Sequence, residues 1–429
     1  MVPSGFSISH CERPRLLAAV PFGLVLLGLL FFGLEAILGQ PPPSAPPTFV
    51  VHTIDGPVPA GTLEKLDEDW SIQLGGKTPR ALAGTDWVSL RREGARLPPF
   101  PTKNCVLLTT GDRIRVEAGA LFRLEEERLF VRPEKGTEIS IPLAFLAYFC
   151  VRIPEGVDDP AQFLARMENI KRPRDILYLK GGDRIEGALV SPARGPVYTM
   201  NLGDRSVATP LDQIAILAVS TELQARPKTK KTFAHVVTIG GARLQFSGLR
   251  LDSRRRLLAG KTLFGANLDI PLEEIAALSI RHGQADYLSD LILSNYQHTP
   301  FLGVKWPLVP DGTVSGRQLS LGDDYFDKGL GTHTQSQVTY SLGGSYRRFE
   351  ASVGIEEGTG QSGHAKISVT LDGRPVVFRK DLPGRGAILP LRLDVRKARA
   401  ITLSVEYGDF GDVQGRVNWI DARLIREGK

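Results

Sequence analysis

Cysteine is scarce in this chain. There are three in 429 residues, and Cys11 precedes a long apolar run, which leaves Cys105 and Cys150 as the one pair beyond it. A disulfide between them is optional. No cysteine follows the apolar run in the manner of a lipidation site, so a lipid anchor is not expected. Catalytic signatures are lacking as well. His-Glu-x-x-His, Walker, nucleophile-elbow and paired Cys-x-x-Cys spacings do not occur, which removes the familiar routes to hydrolysis and metal catalysis. Charge of one sign is also missing: 53 Lys and Arg face 47 Asp and Glu, a net of +6. An excess that small over this length does not point to nucleic acid. The clearest basic run, Arg226-Pro-Lys-Thr-Lys-Lys231, sits between two β-like segments and reads as a solvated linker.

Glycine and proline, at 45 and 30 residues, point to a turn-rich, all-β chain. The length exceeds what one hydrophobic core usually serves, so several domains are expected. Arg13-Pro-Arg15 is followed by an uncharged stretch from Leu16 through Leu34. Its length of about 19 residues suits a spanning helix better than the ~7–15 of a secretory h-region. Ile37 and Gly39 keep a cleavage site open, so residues 1–39 are either a membrane anchor or a signal peptide. The preceding arginines hold the N-terminus in the cytoplasm and send the rest across the membrane. A Pro-rich linker, residues 40–48, follows.

The middle of the chain repeats itself. Cys105-Val-Leu-Leu-Thr-Thr-Gly-Asp-Arg-Ile114 is matched by Ile176-Leu-Tyr-Leu-Lys-Gly-Gly-Asp-Arg-Ile185 and, with Ala242 replacing the aspartate, by Val236-Val-Thr-Ile-Gly-Gly-Ala-Arg-Leu244. About 30 residues after each glycine comes a closing phrase: Ile141-Pro-Leu143, Thr209-Pro-Leu211 and Ile270-Pro-Leu272. A fainter copy starts at Phe49 and closes at Trp87-Val-Ser-Leu90. The pattern of strand, tight turn, strand and further short strands suits small antiparallel barrels of SH3-like or Sm-like architecture. The expected units are 49–104, 105–157, 175–225 and 234–284, with linkers at 158–174 and 226–233. One short helix is expected within 158–170, covering a barrel edge. A single aspartate per turn offers too few oxygens for calcium, so turn geometry explains the Gly-Asp pairs. A protein partner for the repeats stays open.

From Tyr287 the texture becomes that of a β-sandwich, with glycine turns between strands at 337–342, 348–355, 366–371, 376–379, 389–393 and 400–407, and a hairpin turn at Asp372-Gly373. Four phrases stand out in order: Tyr287-Leu-Ser-Asp-Leu291, Lys328-Gly-Leu-Gly-Thr-His333, Phe349-Glu-Ala-Ser-Val-Gly-Ile-Glu-Glu357 and Asn418-Trp-Ile-Asp-Ala-Arg-Leu424. Together they resemble the NPCBM family, the carbohydrate-binding modules found beside glycoside hydrolases, across residues 286–429. The resemblance implies a jelly-roll-like sandwich that binds sugars, often galactose-containing glycans, and catalyses nothing. The chain departs from the family where Glu356-Glu357 replaces an Asp-Asp pair and at Gly411-Asp-Val-Gln-Gly-Arg-Val-Asn418.

A sugar site needs an aromatic face and a few planar hydrogen-bonding groups. Trp306, Tyr325, Tyr407 and Trp419 are the candidate platforms, each as readily a core residue. His333, Gln335, Glu356, Glu357, Arg416 and Asn418 are the candidate polar partners, with a structural role open for His333. Glu356 and Glu357 are neighbours on a strand, point to opposite faces and cannot flank one bond as a catalytic pair; the same holds for Asp323 and Asp324. Gly358-Thr-Gly-Gln-Ser-Gly363 matches a dinucleotide-binding pattern, but a strand follows where a helix is required. No cofactor is implied, and a structural calcium in the sandwich is left open without a ligand motif. The expectation is a non-enzymatic, extracytoplasmic, glycan-binding protein. The alternative is a structural or protein-interaction scaffold whose sandwich has lost its sugar site.

Overall fold

The computed structural model describes residues 45–119, 122–190, 193–227, 229–301, 303–357, 363–384 and 386–427. The N-terminal apolar segment and residues 358–362 lie outside them. Among the described residues, regular structure is strand throughout apart from one α-helix, Pro160–Asn169, and four short 3-10 turns. None of their helices is long and apolar enough to cross a membrane.

The repeated tight turn takes one conformation three times. Gly111, Gly182 and Gly241 have φ of 91°, 97° and 93°, a region that glycine enters without the steric cost a Cβ imposes. Each of their amides donates back three residues, to the carbonyls of Leu108, Leu179 and Thr238, at 2.9, 3.1 and 3.0 Å. The closing phrase is equally regular. Pro142, Pro210 and Pro271 each lead into a 3-10 turn, Leu143–Phe145, Leu211–Gln213 and Leu272–Glu274. A buried last strand follows each time: Leu146–Cys150, Ile214–Ala218 and Ile275–Arg281. That strand returns to pair antiparallel with the strand that opened its unit, Cys105–Leu108, Asp175–Leu179 or Phe233–Thr238. Residues 48–92 show the same closure, Thr48–Thr53 pairing with Trp87–Arg92.

The units meet edge to edge through their last strands. Tyr148–Cys150 pair with Ile216–Ala218, and Ala277–Ser279 pair with Ser89–Arg91. Pairing removes the free edges that would otherwise template aggregation. The helix starts at Asp159, whose carboxylate accepts from the Gln162 amide at 3.0 Å, an N-cap bond that satisfies one of the four orphan donors. Its Leu164 and Met167 pack with Tyr148, Ile176 and Ile216 over the joint between two units. Cys105 and Cys150 face each other across their strands and are free thiols.

The C-terminal region is a two-sheet sandwich. One sheet runs Val309–Pro310, Gly329–His333, Arg416–Arg426, Tyr346–Ile355 and Ile388–Asp394, with Ala285–Tyr287 also on Arg416–Arg426. The other runs Asn295–His298, Ser336–Ser341, Ala400–Tyr407, Ala365–Leu371 and Arg374–Leu382. Asp372 and Gly373, both at positive φ, make the hairpin turn between the last two, as a two-residue loop of matching twist requires. Between the sheets, Phe349, Val353, Ile367, Leu403, Val417 and Trp419 form a dry core, each large apolar side chain contributing roughly 1.5–3 kcal/mol.

Pro46–Lys429 form a single unit, and the reason is ionic as much as apolar. Asp327 of the sandwich accepts from Arg243 Nε at 3.1 Å and lies 2.8 Å from His235 Nε2. Arg243 is 1% exposed and also donates to the carbonyls of Pro98, Pro99 and Gly241. Arg91 meets Asp324 at 2.5 Å, and Asp323 pairs with Arg96.

Candidate functional site at one end of the sandwich

Alternation along the central strand Arg416–Arg426 decides which side chains are available. Val417, Trp419, Ala422 and Leu424 point into the core, so Arg416 and Asn418 lie on the opposite face. A bulge with Asp421 at φ 48° restores the phase further on. Trp419 is fully buried, and its Nε1 donates to Thr332 Oγ1 at 3.2 Å. It is a core residue and not a platform, which corrects the expectation for that position.

On the outer face, His333 lies directly opposite Arg416 in the strand register. The Trp306 ring stacks on the His333 ring at 4.7 Å and 2°, and the Arg416 guanidinium sits 5.6 Å from the Trp306 centroid. The loop carrying Trp306 is tied down at several points. Tyr296 donates its hydroxyl to the Trp306 carbonyl at 2.8 Å, the Trp306 amide donates to His298 Nδ1 at 3.3 Å, and the Thr299 amide donates to the Gln335 carbonyl at 2.9 Å. From the other side, Asp412 lies 3.3 Å from His333 Nδ1 and accepts the Thr334 hydroxyl at 2.8 Å. Burial pulls both His333 and His298 below the usual histidine range, with Asp412 opposing it. The two rings approach edge to face at 6.1 Å.

Asn418 is 1% exposed and lies between Gly331 and Gly354 on the neighbouring strands. A Cβ at Gly331 would come within 2.4 Å of the Gly312 carbonyl, so the 311–318 loop runs close against the strand there. Neither Oδ1 nor Nδ2 of Asn418 has a hydrogen-bond partner. The same is true of Gln414 Oε1, Arg416 Nε and His298 Nε2. Buried polar atoms are almost always paired, and each one left unpaired costs about 1–3 kcal/mol. Five such atoms fall on these four residues, and the others among the described residues are spread over the repeats and the rest of the sandwich.

The structure thus brings Trp306, His333, Gln335, Arg416 and Asn418 to one end of the sandwich. Of the others, Glu356 stays beside Arg416, its amide donating to that carbonyl at 2.9 Å, Tyr407 lies at the rim, and Tyr325 and Glu357 turn elsewhere. Tyr325 lies in a two-stranded ribbon, Leu319–Leu321 with Asp324–Phe326, and its amide donates to the Leu97 carbonyl at the contact with the repeats. Glu356 is buried and accepts the Ser315 hydroxyl, while Glu357 accepts the Gly322 amide at 3.1 Å. The two carboxylates turn to different loops, so they form no catalytic pair. Tyr407 packs edge-on against Phe301 at 6.2 Å. Among the described residues no three acidic, histidine or cysteine side chains converge as a metal site. His298, Asp412 and Gln414 were missed by sequence reasoning. A usable signal existed, since three of the seven histidines fall in this third of the chain, each beside a loop.

Residues 284–425 match the NPCBM/NEW2 domain family.

The chain is 26% identical, over 146 residues, to a Renibacterium salmoninarum protein named "Putative endo-alpha-N-acetylgalactosaminidase". The match covers 32% of this chain and 9% of that protein, so the chain spans less than a tenth of its relative's length. Among solved structures, a CBM51 from Clostridium perfringens GH95 in complex with methyl-galactose is 24% identical, covering 33% of this chain and 99% of that one with a TM-score of 0.30. CBM51-2 and INT domains of Clostridium perfringens ZmpB, in complex with GlcNAc, are 23% identical, covering 40% and 36% with a TM-score of 0.31. The NPCBM/NEW2 region begins at the strand Ala285–Tyr287 and ends within Arg416–Arg426, two strands that pair with each other.

Proposed function

We propose that the NPCBM/NEW2 module binds carbohydrate without transforming it, at the end of the sandwich marked by Trp306, His333, Arg416 and Asn418. The observation that carries this reading is the set of unpaired polar atoms on His298, Gln414, Arg416 and Asn418 around the stacked Trp306 and His333 rings. A pyranose offers hydroxyls that give and accept hydrogen bonds in fixed directions beside an apolar face. Amide, guanidinium and neutral imidazole groups beside an indole are the chemistry that meets it. The family resemblance favours galactose-containing glycans, and the name of the Renibacterium protein adds N-acetylgalactosamine to the sugars worth testing.

A binding role without catalysis fits the carboxylates. Asp412 is held by His333 and Thr334, and Glu356 and Glu357 serve separate loops. The apolar N-terminal run supports a place outside the cytoplasm, as an anchored or secreted chain. The test is a glycan array probed with residues 46–429. Retention on galactose-terminated glycans, lost in Trp306→Ala, is expected. Silence across plant, animal and bacterial glycans overturns the reading and favours a scaffold that contacts protein.

A further inference from the structure

Two large aromatic side chains beside the Trp306 site stand mostly in water: Phe301 is 51% exposed and Phe410 is 59% exposed. Neither is isolated. Phe301 precedes Trp306 by five residues on the same loop and meets Tyr407 edge-on at 6.2 Å. Phe410 sits in the Gly408–Gly411 turn, on the segment that continues to Asp412 and Gln414, and its ring approaches His364 at 6.4 Å. His364 is 8% exposed and its Nδ1 accepts the Asp409 amide at 3.0 Å. Its Nε2 lies 3.5 Å from Asp381 and makes no hydrogen bond.

Scattered exposed apolar residues need no explanation, but aromatics grouped at the rim of one site do. The two loops that supply Trp306, Asp412 and Gln414 thus also supply two further aromatic faces, one of them beside a buried imidazole. A single pyranose covers one ring; a sugar seated at Trp306 leaves Phe301 and Phe410 bare. A chain of sugars presents the next units to them, with their C–H faces available for stacking.

We propose that Phe301 with Tyr407, and Phe410 with His364, are added subsites for the sugar units next to the one at Trp306, so that the preferred ligand is an oligosaccharide. This rests on the carbohydrate reading above. The test titrates residues 46–429 with galactose, N-acetylgalactosamine and linear trisaccharides ending in each, using wild type, Trp306→Ala and the double variant Phe301→Ala with Phe410→Ala. Wild type is expected to bind a trisaccharide at least tenfold more tightly than its monosaccharide. The double variant should lose that gain and keep the monosaccharide affinity, which also shows that it is folded. Trp306→Ala should lose both. Equal affinity for short and long sugars in wild type, or an undiminished trisaccharide affinity in the double variant, overturns the subsites while leaving carbohydrate binding standing. Binding of none of the four sugars by wild type overturns the galactoside reading itself.

Discussion

Asn418 separates function from stability more sharply than any other residue here. It is buried with no hydrogen-bond partner on either side-chain atom, so its amide is a burden of about 1–3 kcal/mol on the free protein. Replacing it by alanine, which removes both unpaired atoms without adding volume at this tight site, is expected to hold or raise the melting temperature while lowering glycan affinity tenfold or more; thermal unfolding and titration of the same sample check both halves. The histidines give a pH dependence. His298 and His333 have lowered pKa values because burial disfavours their charged forms, so both are neutral at pH 7. Binding is expected to stay level from pH 8 to 6.5 and to fall in more acid solution, as two facing imidazoles take up charge. A rise in affinity on acidification contradicts this.

Asp112 carries a different kind of strain. It is fully buried, accepts the Thr110 hydroxyl at 2.5 Å and the Gln245 amide at 2.7 Å, and burial raises its pKa to about 7. A carboxyl whose folded pKa lies above its unfolded value stabilises most at low pH, and that contribution is lost as pH rises toward and through the folded pKa. Asp112→Asn removes the charge, with its Oδ1 still accepting the Gln245 amide and its Nδ2 donating to the Thr110 hydroxyl oxygen in place of the bond it accepted. It is expected to raise the melting temperature at pH 8, by a free energy on the order of 2–4 kcal/mol, and to give no gain at pH 4.

At the scale of elements, the strands of the sandwich and the turns of the repeats were legible because their causes are local. Gly111, Gly182 and Gly241 recur at one place in each copy and adopt one conformation, and Asp372-Gly373 turns the chain wherever it stands between two strands. The site was half legible for an equally plain reason. Adjacent strand residues face opposite ways. Asn418 and Trp419 are such neighbours, so one strand could not offer both to a single sugar. Tyr325 was misplaced because what surrounds it, Leu97 and the contact with the repeats, is set by docking between distant segments and leaves no local pattern. The facing cysteines belong to this scale too. Both thiols are buried, and the hydrogen bond with Cys105, followed by burial, pushes the Cys150 thiol up; shut off from solvent, neither should react with iodoacetamide in the native protein, and both should react after unfolding. Mass spectrometry before and after denaturant reads the difference.

For the whole molecule, the junction between repeats and sandwich hangs on Asp327. Arg243 and His235 converge on it and hold its carboxyl far below the usual range, against the burial that opposes them. Removing one partner of a buried ion pair leaves the other charge stranded, at a cost of about 3–5 kcal/mol. Asp327→Ala is therefore expected to give two unfolding transitions in calorimetry where the wild type gives one, and to expose residues 93–104, between the strands Trp87–Arg92 and Cys105–Leu108, to proteolysis, with glycan affinity preserved. A single transition with unchanged protease resistance contradicts the clamp. Arg243 occupies the position that Arg113 and Arg184 hold in the other copies. The repeat therefore supplied the cation by its own pattern, and only the fold shows which copy uses it to hold the sandwich.

The Trp306 end of the sandwich is proposed as a sugar site. Isothermal titration of a galactose-terminated trisaccharide into residues 46–429, wild type and Trp306→Ala side by side, tests it most directly. Saturable binding of one ligand per chain to the wild type, and none to a variant that remains folded, is expected. Equal binding by the two proteins, or none by either, contradicts it.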